Sequence, residues 1–429
     1  MRRSGWFFSL WVFGFGCGSS DEATPAGAGG TGPGTGGIAG GSGGGAAGVA
    51  GSSGGSTGGS AGSSGSGGGP TGGSAGSTGG SAGSTGGSAG SSGGSAGSNG
   101  GTGGFVVSDC GAAALKDLAS TITPRTFVDL GAAGYDDALI DAGQGHHVLQ
   151  YSDKGVWDPK TCQALFLGGG HLSLVKYIGL SASSNQWFQA PNPPWWCDPQ
   201  AVSNPYQCAT HAYEHDALDP ATGTFYFRGF NSATVRRHQV DATIDADWDT
   251  IPDLPSEAAS CIATSLEFFP DRNELVFVNC TDQSLRTWHP GDGSWGTVAG
   301  PFAMGPYHNY GVYNPVHKVV MFGLGNDSSG FHKYDASGTV TTAAAPPRMF
   351  HPSPDDTATL RILTVDPVSG KYLAVAPNGD MFEYDVPGNQ WSPLTTKAPQ
   401  GLQIAIPVTS YGVVLFLSSA PATAYVYKH

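Results

Sequence analysis

The sequence predicts an all-β protein, a six-bladed β-propeller behind a disordered Gly/Ser-rich linker, and three observations predict it. The first is a unit that pairs a proline turn with a short apolar run. In Gly155 to His171, Asp158-Pro159-Lys160-Thr161 reverses the chain and Ala164 to Leu167 follows, closed by Gly168-Gly169-Gly170. Proline presets such a turn, and a short continuous apolar run bounded by breakers reads as a strand covered on both faces. The unit returns at Pro220 before Phe225 to Phe227, at Pro270 before Leu275 to Val278, at Pro315 before Val319 to Gly323, and at Pro367 before Tyr372 to Val375. A last copy, Ile404 to Leu417, keeps the Tyr411-Gly412 turn without the aligned proline. The spacing, roughly 45 to 60 residues, is that of repeats with several strands each.

The second observation is a tryptophan in phase with these prolines, at 187, 248, 295 and 391, preceded each time by turn residues; Gly338-Thr339-Val340 stands there in the fourth repeat. The third is a last repeat one strand short, with strands at Ile404 to Pro407, Val413 to Leu417 and Ala424 to Tyr427. Thr126 to Leu130 is strand-like and can supply the missing outer strand, closing the ring and removing an open edge. Six blades result. Seven is the alternative if the wide interval from Pro159 to Pro220 holds a degenerate blade; the Pro- and aromatic-rich segment Pro191 to Tyr206 reads instead as an inserted loop. Ala112 to Ser120 reads as one short helix.

Outside the repeats, Arg2-Arg3, the apolar Trp6 to Phe15 and Gly16-Cys17 read as an export signal, too short to span a bilayer. Thr24 to Gly104 is almost wholly Gly, Ser, Ala and Thr, with no apolar surface to offset chain entropy. As a coil, about 80 such residues have a root-mean-square span of roughly 50 Å, enough to serve as a tether. The division is therefore 1–17 signal, 18–104 disordered linker and 105–429 propeller.

The net charge of −14 falls on the propeller, because Arg2 and Arg3 offset Asp21 and Glu22 and the linker is uncharged. That disfavours nucleic acid and anionic membrane as broad partners. Seven cysteines fit one lipidated residue plus three pairs in an oxidising compartment. Cys197 and Cys208 flank one loop, Cys261 and Cys280 end neighbouring strands, and Cys110 and Cys162 are left over; the six allow fifteen connectivities, and buried free thiols are the alternative. No Cys-x-x-Cys spacing points to a metal, and no metal or cofactor is expected.

Gly168-Gly169-Gly170 ending a second strand, Tyr334-Asp335 and Tyr384-Asp385 in third strands, and the tryptophans opening fourth strands resemble the blade markers of the kelch and galactose-oxidase-like propellers. The resemblance covers about residues 125–429 and implies fold rather than function. Galactose-oxidase chemistry itself needs a copper site and a further C-terminal domain, whereas this chain stops where its repeats stop. Gly16-Cys17 resembles a bacterial lipoprotein signal with Cys17 lipidated, which implies an outer-membrane or cell-surface protein; Gly14 stands where that motif usually has leucine. An ordinary secretory signal or an uncleaved anchor is the alternative.

Blades begin at the central channel, so residues just before first strands gather at its mouth. His147, His211, Tyr213, His215, Tyr307, His308, Tyr310 and Arg361 fall there; His171 follows the triple glycine and His351 precedes the fifth repeat. Each alone is readily a strand-end histidine or tyrosine bonded to a loop carbonyl. Together they form a candidate binding site in which His308, Tyr310, Arg228, Arg236, Trp195 and Trp196 contact a glycan or protein ligand. Resemblance to propeller polysaccharide lyases gives the second reading. It implies His171, His211 and Tyr213 as acid–base groups on a uronate, with Arg228, Arg236 or Arg237 facing its carboxylate. A monomer is expected, touching membrane only through its N-terminal lipid.

Overall fold

The computed structural model describes residues 110–111, 113–140, 147–149, 152–169, 176–191, 193, 195, 212–213, 215–229, 232–240, 248–351 and 356–429. The signal, Cys17 and the linker lie outside the described residues, as do His171, Trp196, Cys197, Cys208 and His211.

Helix α1 (Ala114–Thr121), strand β1 (Thr126–Asp129) and helix α2 (Tyr135–Leu139) precede the repeats. Blade 1 holds β2 (Val156–Asp158), β3 (Gln163–Gly168), β4 (Lys176–Ser181) and β5 (Gln186–Ala190). Blade 2 holds β6 (Asp216–Asp219), β7 (Thr224–Arg228), β8 (Val235–Gln239) and β9 (Asp249–Thr250). Blade 3 holds β10 (Leu266–Phe269), β11 (Glu274–Asn279), β12 (Ser284–Trp288) and β13 (Gly296–Ala299). Blade 4 holds β14 (Tyr310–Asn314), β15 (Val319–Gly323), β16 (Phe331–Asp335) and β17 (Val340–Thr342). Blade 5 holds β18 (Ile362–Val365), β19 (Tyr372–Val375), β20 (Met381–Asp385) and β21 (Gln390–Pro393). Blade 6 holds β22 (Leu402–Val408), β23 (Val413–Ser419) and β24 (Ala422–Lys428), and β1 is its fourth strand.

Each blade is one four-stranded sheet in sequence order, save that β1 pairs with β24, Thr126 opposite Lys428 through Asp129 opposite Tyr425. First strands adjoin in the order β2, β6, β10, β14, β18, β22, and β22 adjoins β2 again, with Lys154 bridging Ala405 in parallel. The ring is closed, and the fold is a six-bladed β-propeller; the described residues contain no seventh sheet.

The turns explain why the repeat reads as it does. Four of the five aligned prolines follow Asp158, Asp219, Asn314 or Asp366, whose side chains accept hydrogen bonds from the turn behind them. Asp158 takes the Lys160 amide at 3.0 Å, Asp219 the Ala221 amide at 2.9 Å, Asn314 the Val316 amide at 3.0 Å and Asp366 the Ser369 amide at 2.7 Å. An Asx side chain standing in for a backbone carbonyl is the physical content of the motif.

The apolar runs explain the packing. Successive residues of a strand point to opposite faces, and here both faces are covered. Ala164 and Phe166 pack with Ile404, Leu415 and Leu417 of blade 6, whereas Leu165 and Leu167 pack with Phe225 and Phe227 of blade 2. The same division recurs around the ring, one apolar cluster between each pair of neighbouring blades. Each such leucine, isoleucine or phenylalanine side chain contributes about 1.5–3 kcal/mol of burial. The tryptophans close these clusters from outside. Trp187 meets Tyr135 of α2 edge-on at 5.3 Å, Trp295 donates to the Pro252 carbonyl at 2.8 Å and Trp391 to the Ala344 carbonyl at 3.0 Å.

Two disulfides lie among the described residues. Cys261–Cys280 ties the entry of blade 3 to the end of β11. Cys110–Cys162 ties the segment before α1 to the β2–β3 turn, at the seam where blade 6 meets blade 1.

Candidate functional site

All six first strands run the same way along the channel, so the residues before them share one mouth and the proline turns after them share the other. At the first mouth the structure brings Tyr213 and His308 together, with ring centroids 4.9 Å apart and planes at 82°. Asp153 completes the group: its amide donates to the Tyr213 carbonyl at 3.3 Å, and its carboxylate lies 3.7 Å from His308 Nδ1. That separation is too long for a hydrogen bond, and Nδ1 has no other hydrogen-bond acceptor. The contact becomes an ion pair when the imidazole is protonated. Tyr213 (φ 37°) and His308 (φ 56°) both occupy the left-handed region. For residues with a Cβ this costs about 1 kcal/mol or more and persists only where the surroundings hold it.

His215 sits behind Tyr213, 6.1 Å between centroids, and is fully buried. Arg228 approaches its Nε2 at 3.2 Å. A guanidinium only donates, so Nε2 accepts and the proton of the neutral ring stays on Nδ1. Arg228 also donates to the carbonyls of Ser232 at 2.7 Å and Ala258 at 3.0 Å, and lies 5.0 Å over the Phe277 ring. Burial lowers its pKa to about 9. It is enclosed between blades 2 and 3 and props His215; it does not face the mouth.

The other expected residues are spread more widely. Tyr310 is buried and its hydroxyl donates to the Arg361 carbonyl, while the Arg361 guanidinium donates to Gln403. Arg236 lies 4.5 Å over Trp195, which stacks on Phe227 at 5.7 Å and meets Trp248 edge-on at 5.4 Å. Trp195 thus fills the seam between blades 1 and 2. Arg237 pairs with Asp249 at 3.0 Å on the surface.

Four charged residues escaped the sequence reading. Lys154, just before β2, crosses the channel: its ammonium reaches Glu267 of β10 at 2.7 Å, the Leu266 carbonyl at 3.0 Å and the Gly311 carbonyl of blade 4 at 3.4 Å. Blade 4 is opposite blade 1 in a ring of six, so this side chain is a strut through the axis, only 10 % exposed at Lys154 and 12 % at Glu267. Asp153 precedes it directly. Asp216, opening β6, is fully buried; its Oδ2 takes the Leu167 amide at 3.2 Å and its Oδ1 has no partner. Burial pushes the Asp216 pKa well above the carboxylate range, against the opposing pull of the Leu167 amide and Lys154. The only available sequence signal was the placement of a charge within or beside a first strand.

Asp216 carries a pH prediction. Its proton is held more tightly in the fold than in the unfolded chain. The associated stability is complete below the ordinary carboxylate pKa and is lost as pH rises through the elevated one. Asp216→Asn keeps the acceptor for Leu167 and has no proton to lose. Thermal melts between about pH 4 and pH 8 should show the variant gaining on the wild type as pH rises. A constant difference would refute the buried-acid assignment.

No family model matches the chain, and no curated protein matches it. Among solved structures it is similar to a structural-genomics protein of unknown function from Bacteroides thetaiotaomicron, at 11% identity and TM-score 0.47, covering 70% of this chain and 75% of that one. It is also similar to a chain of a nidogen/laminin complex, at 10% identity and TM-score 0.40, covering 57% of this chain and 79% of that one. A protein from Lactobacillus plantarum gives 12% identity and TM-score 0.42, with 65% and 80% covered. The assignment to the propellers rests on this chain's own strand order and ring closure.

Proposed function

We propose that this protein is a surface-tethered, kelch-like propeller of the galactose-oxidase-like type that binds a glycan at the mouth where its first strands begin. One observation carries the reading: Asp153, Tyr213 and His308, from three separate segments, converge there around two strained backbone positions. Convergent polar groups beside an aromatic ring suit a sugar's hydroxyls and its apolar face. A glycan array probed with the wild type, His308→Ala and Tyr213→Ala tests it. The wild type should retain at least one glycan that both variants release while keeping wild-type melting. An empty array, or variants that bind like the wild type, would refute it.

The second reading is a polysaccharide lyase, favoured by the imidazole of His308 between a carboxylate and a tyrosine. There His308 or Tyr213 would remove a C5 proton from a uronate and return one to the leaving oxygen. Polygalacturonate incubated with the protein would then gain the ultraviolet absorbance of an unsaturated uronate. The enclosure of Arg228 and the surface pairing of Arg237 weigh against it, since neither is placed to face a uronate carboxylate.

Export is supported by two disulfides, which belong to oxidising compartments. No helix among the described residues is long and apolar enough to cross a membrane. On this proposal a lipid on Cys17 holds a monomer at the outer membrane, and 18–104 is the tether. Cys17→Ser should move the protein from the membrane fraction to the soluble one; a wild type already soluble outside the cell would contradict the lipid anchor.

A further inference from the structure

The Lys154–Glu267 strut divides the channel, and beyond it, on the side away from Tyr213 and His308, lies a cavity of about 360 Å³. Its mouth is the ring of turns, where Pro159, Pro220, Pro270, Pro315 and Pro367 stand one per blade and Thr409 takes the place in blade 6. Proline rings lose almost no rotamer freedom when ordered, so this wall is formed before anything enters. Trp157 and Tyr313 add flat aromatic surface; the Trp157 indole is fixed by its bond to Ser410 Oγ at 2.8 Å and the Tyr313 hydroxyl by Asp271 at 2.6 Å.

The polar groups are few. The three ammonium protons of Lys154 are matched by three acceptors. On Glu267, Oε2 takes Lys154 and the Tyr313 amide at 3.1 Å, while Oε1 takes only the Phe268 amide at 3.0 Å. A carboxylate oxygen accepts two hydrogen bonds, so Oε1 has one place left. The pair is neutral, and Glu267 offers an acceptor; the Thr364 hydroxyl, buried in the wall without a partner, can donate or accept. The volume is at the small end of ligand sites.

We infer that this cavity is a second binding site, for a small neutral aromatic molecule that carries one O–H or N–H donor. The flat ring lies among the prolines and Trp157, and the donor reaches Glu267. Anionic ligands are disfavoured because the Glu267 carboxylate faces them and the Lys154 ammonium is already matched by three acceptors, and polyhydroxylated ones because the walls leave most of their groups unpaired.

Titration with p-cresol, with toluene as the ring that lacks the donor, tests the inference. The protein should bind p-cresol saturably at one site, and toluene at least ten-fold more weakly. Thr409→Trp, at an exposed position on the rim, should weaken p-cresol at least ten-fold without lowering the melting temperature, and His308→Ala should leave it unchanged. Absence of saturable p-cresol binding, equal binding of toluene, or indifference to Thr409→Trp would each overturn the site. Loss on His308→Ala would place the ligand at the other mouth and overturn it as well. Glycan binding at the first mouth stands or falls separately.

Discussion

A chain that begins at Ala132 should aggregate rather than fold, whereas one that begins at Phe105 should melt cooperatively. The longer chain keeps β1, whose four residues pair with β24 and cover the edge of blade 6. Without them β24 presents a row of unpaired backbone groups, and Phe416, Tyr425 and Tyr427 lose the cover of Phe127, 5.4 Å from Phe416 and 4.5 Å from Tyr427 between centroids. An open edge beside exposed aromatics is a template for pairing with other chains. The truncation also removes α1 and the Cys110–Cys162 bond, so a control is needed. Cys110→Ser with Cys162→Ser removes only the bond, which spans 52 residues and is worth about 4 kcal/mol by loop entropy. That variant should fold with lowered stability. If the chain from Ala132 is as soluble and cooperative as the control, β1 does not close the ring in solution.

Lys154→Met should be the most damaging single substitution in the channel, costing about 3 kcal/mol or more, because it leaves the Glu267 carboxylate buried without its cation. Chemical denaturation of the wild type, Lys154→Met and Lys154→Met with Glu267→Gln measures this. The side-chain amide introduced by Glu267→Gln keeps one acceptor oxygen, for either the Tyr313 or the Phe268 amide, and carries no charge, so the double variant should recover part of the loss. Equal stability of single and double variants would mean that the pair is solvated and no strut.

The blades were legible because their chemistry is local. A proline turn capped by the preceding Asp or Asn acts within four residues, and an apolar run reports both covered faces of its own strand. The closing strand was legible from the missing fourth strand of the last repeat, and helix α1 from Ala112 to Ser120, with ends displaced by one or two residues. The gathering of Tyr213 and His308 followed from their place before first strands. Asp153 and the strut did not, because Lys154 and Glu267 are 113 residues apart and no local pattern links a lysine before one strand to a glutamate inside another. Arg228 read as a free cation for the same reason. Its acceptors, the carbonyls of Ser232 and Ala258 and a nitrogen of His215, leave no mark on sequence.

Hydrogen exchange followed by mass spectrometry, with and without the glycan that the array selects, locates the ligand directly. The account predicts slowed exchange in the peptides that carry Asp153, Tyr213 and His308, and none in the turns at Pro159, Pro270 and Pro367. Protection confined to those turns, or to the outer strands, would contradict it.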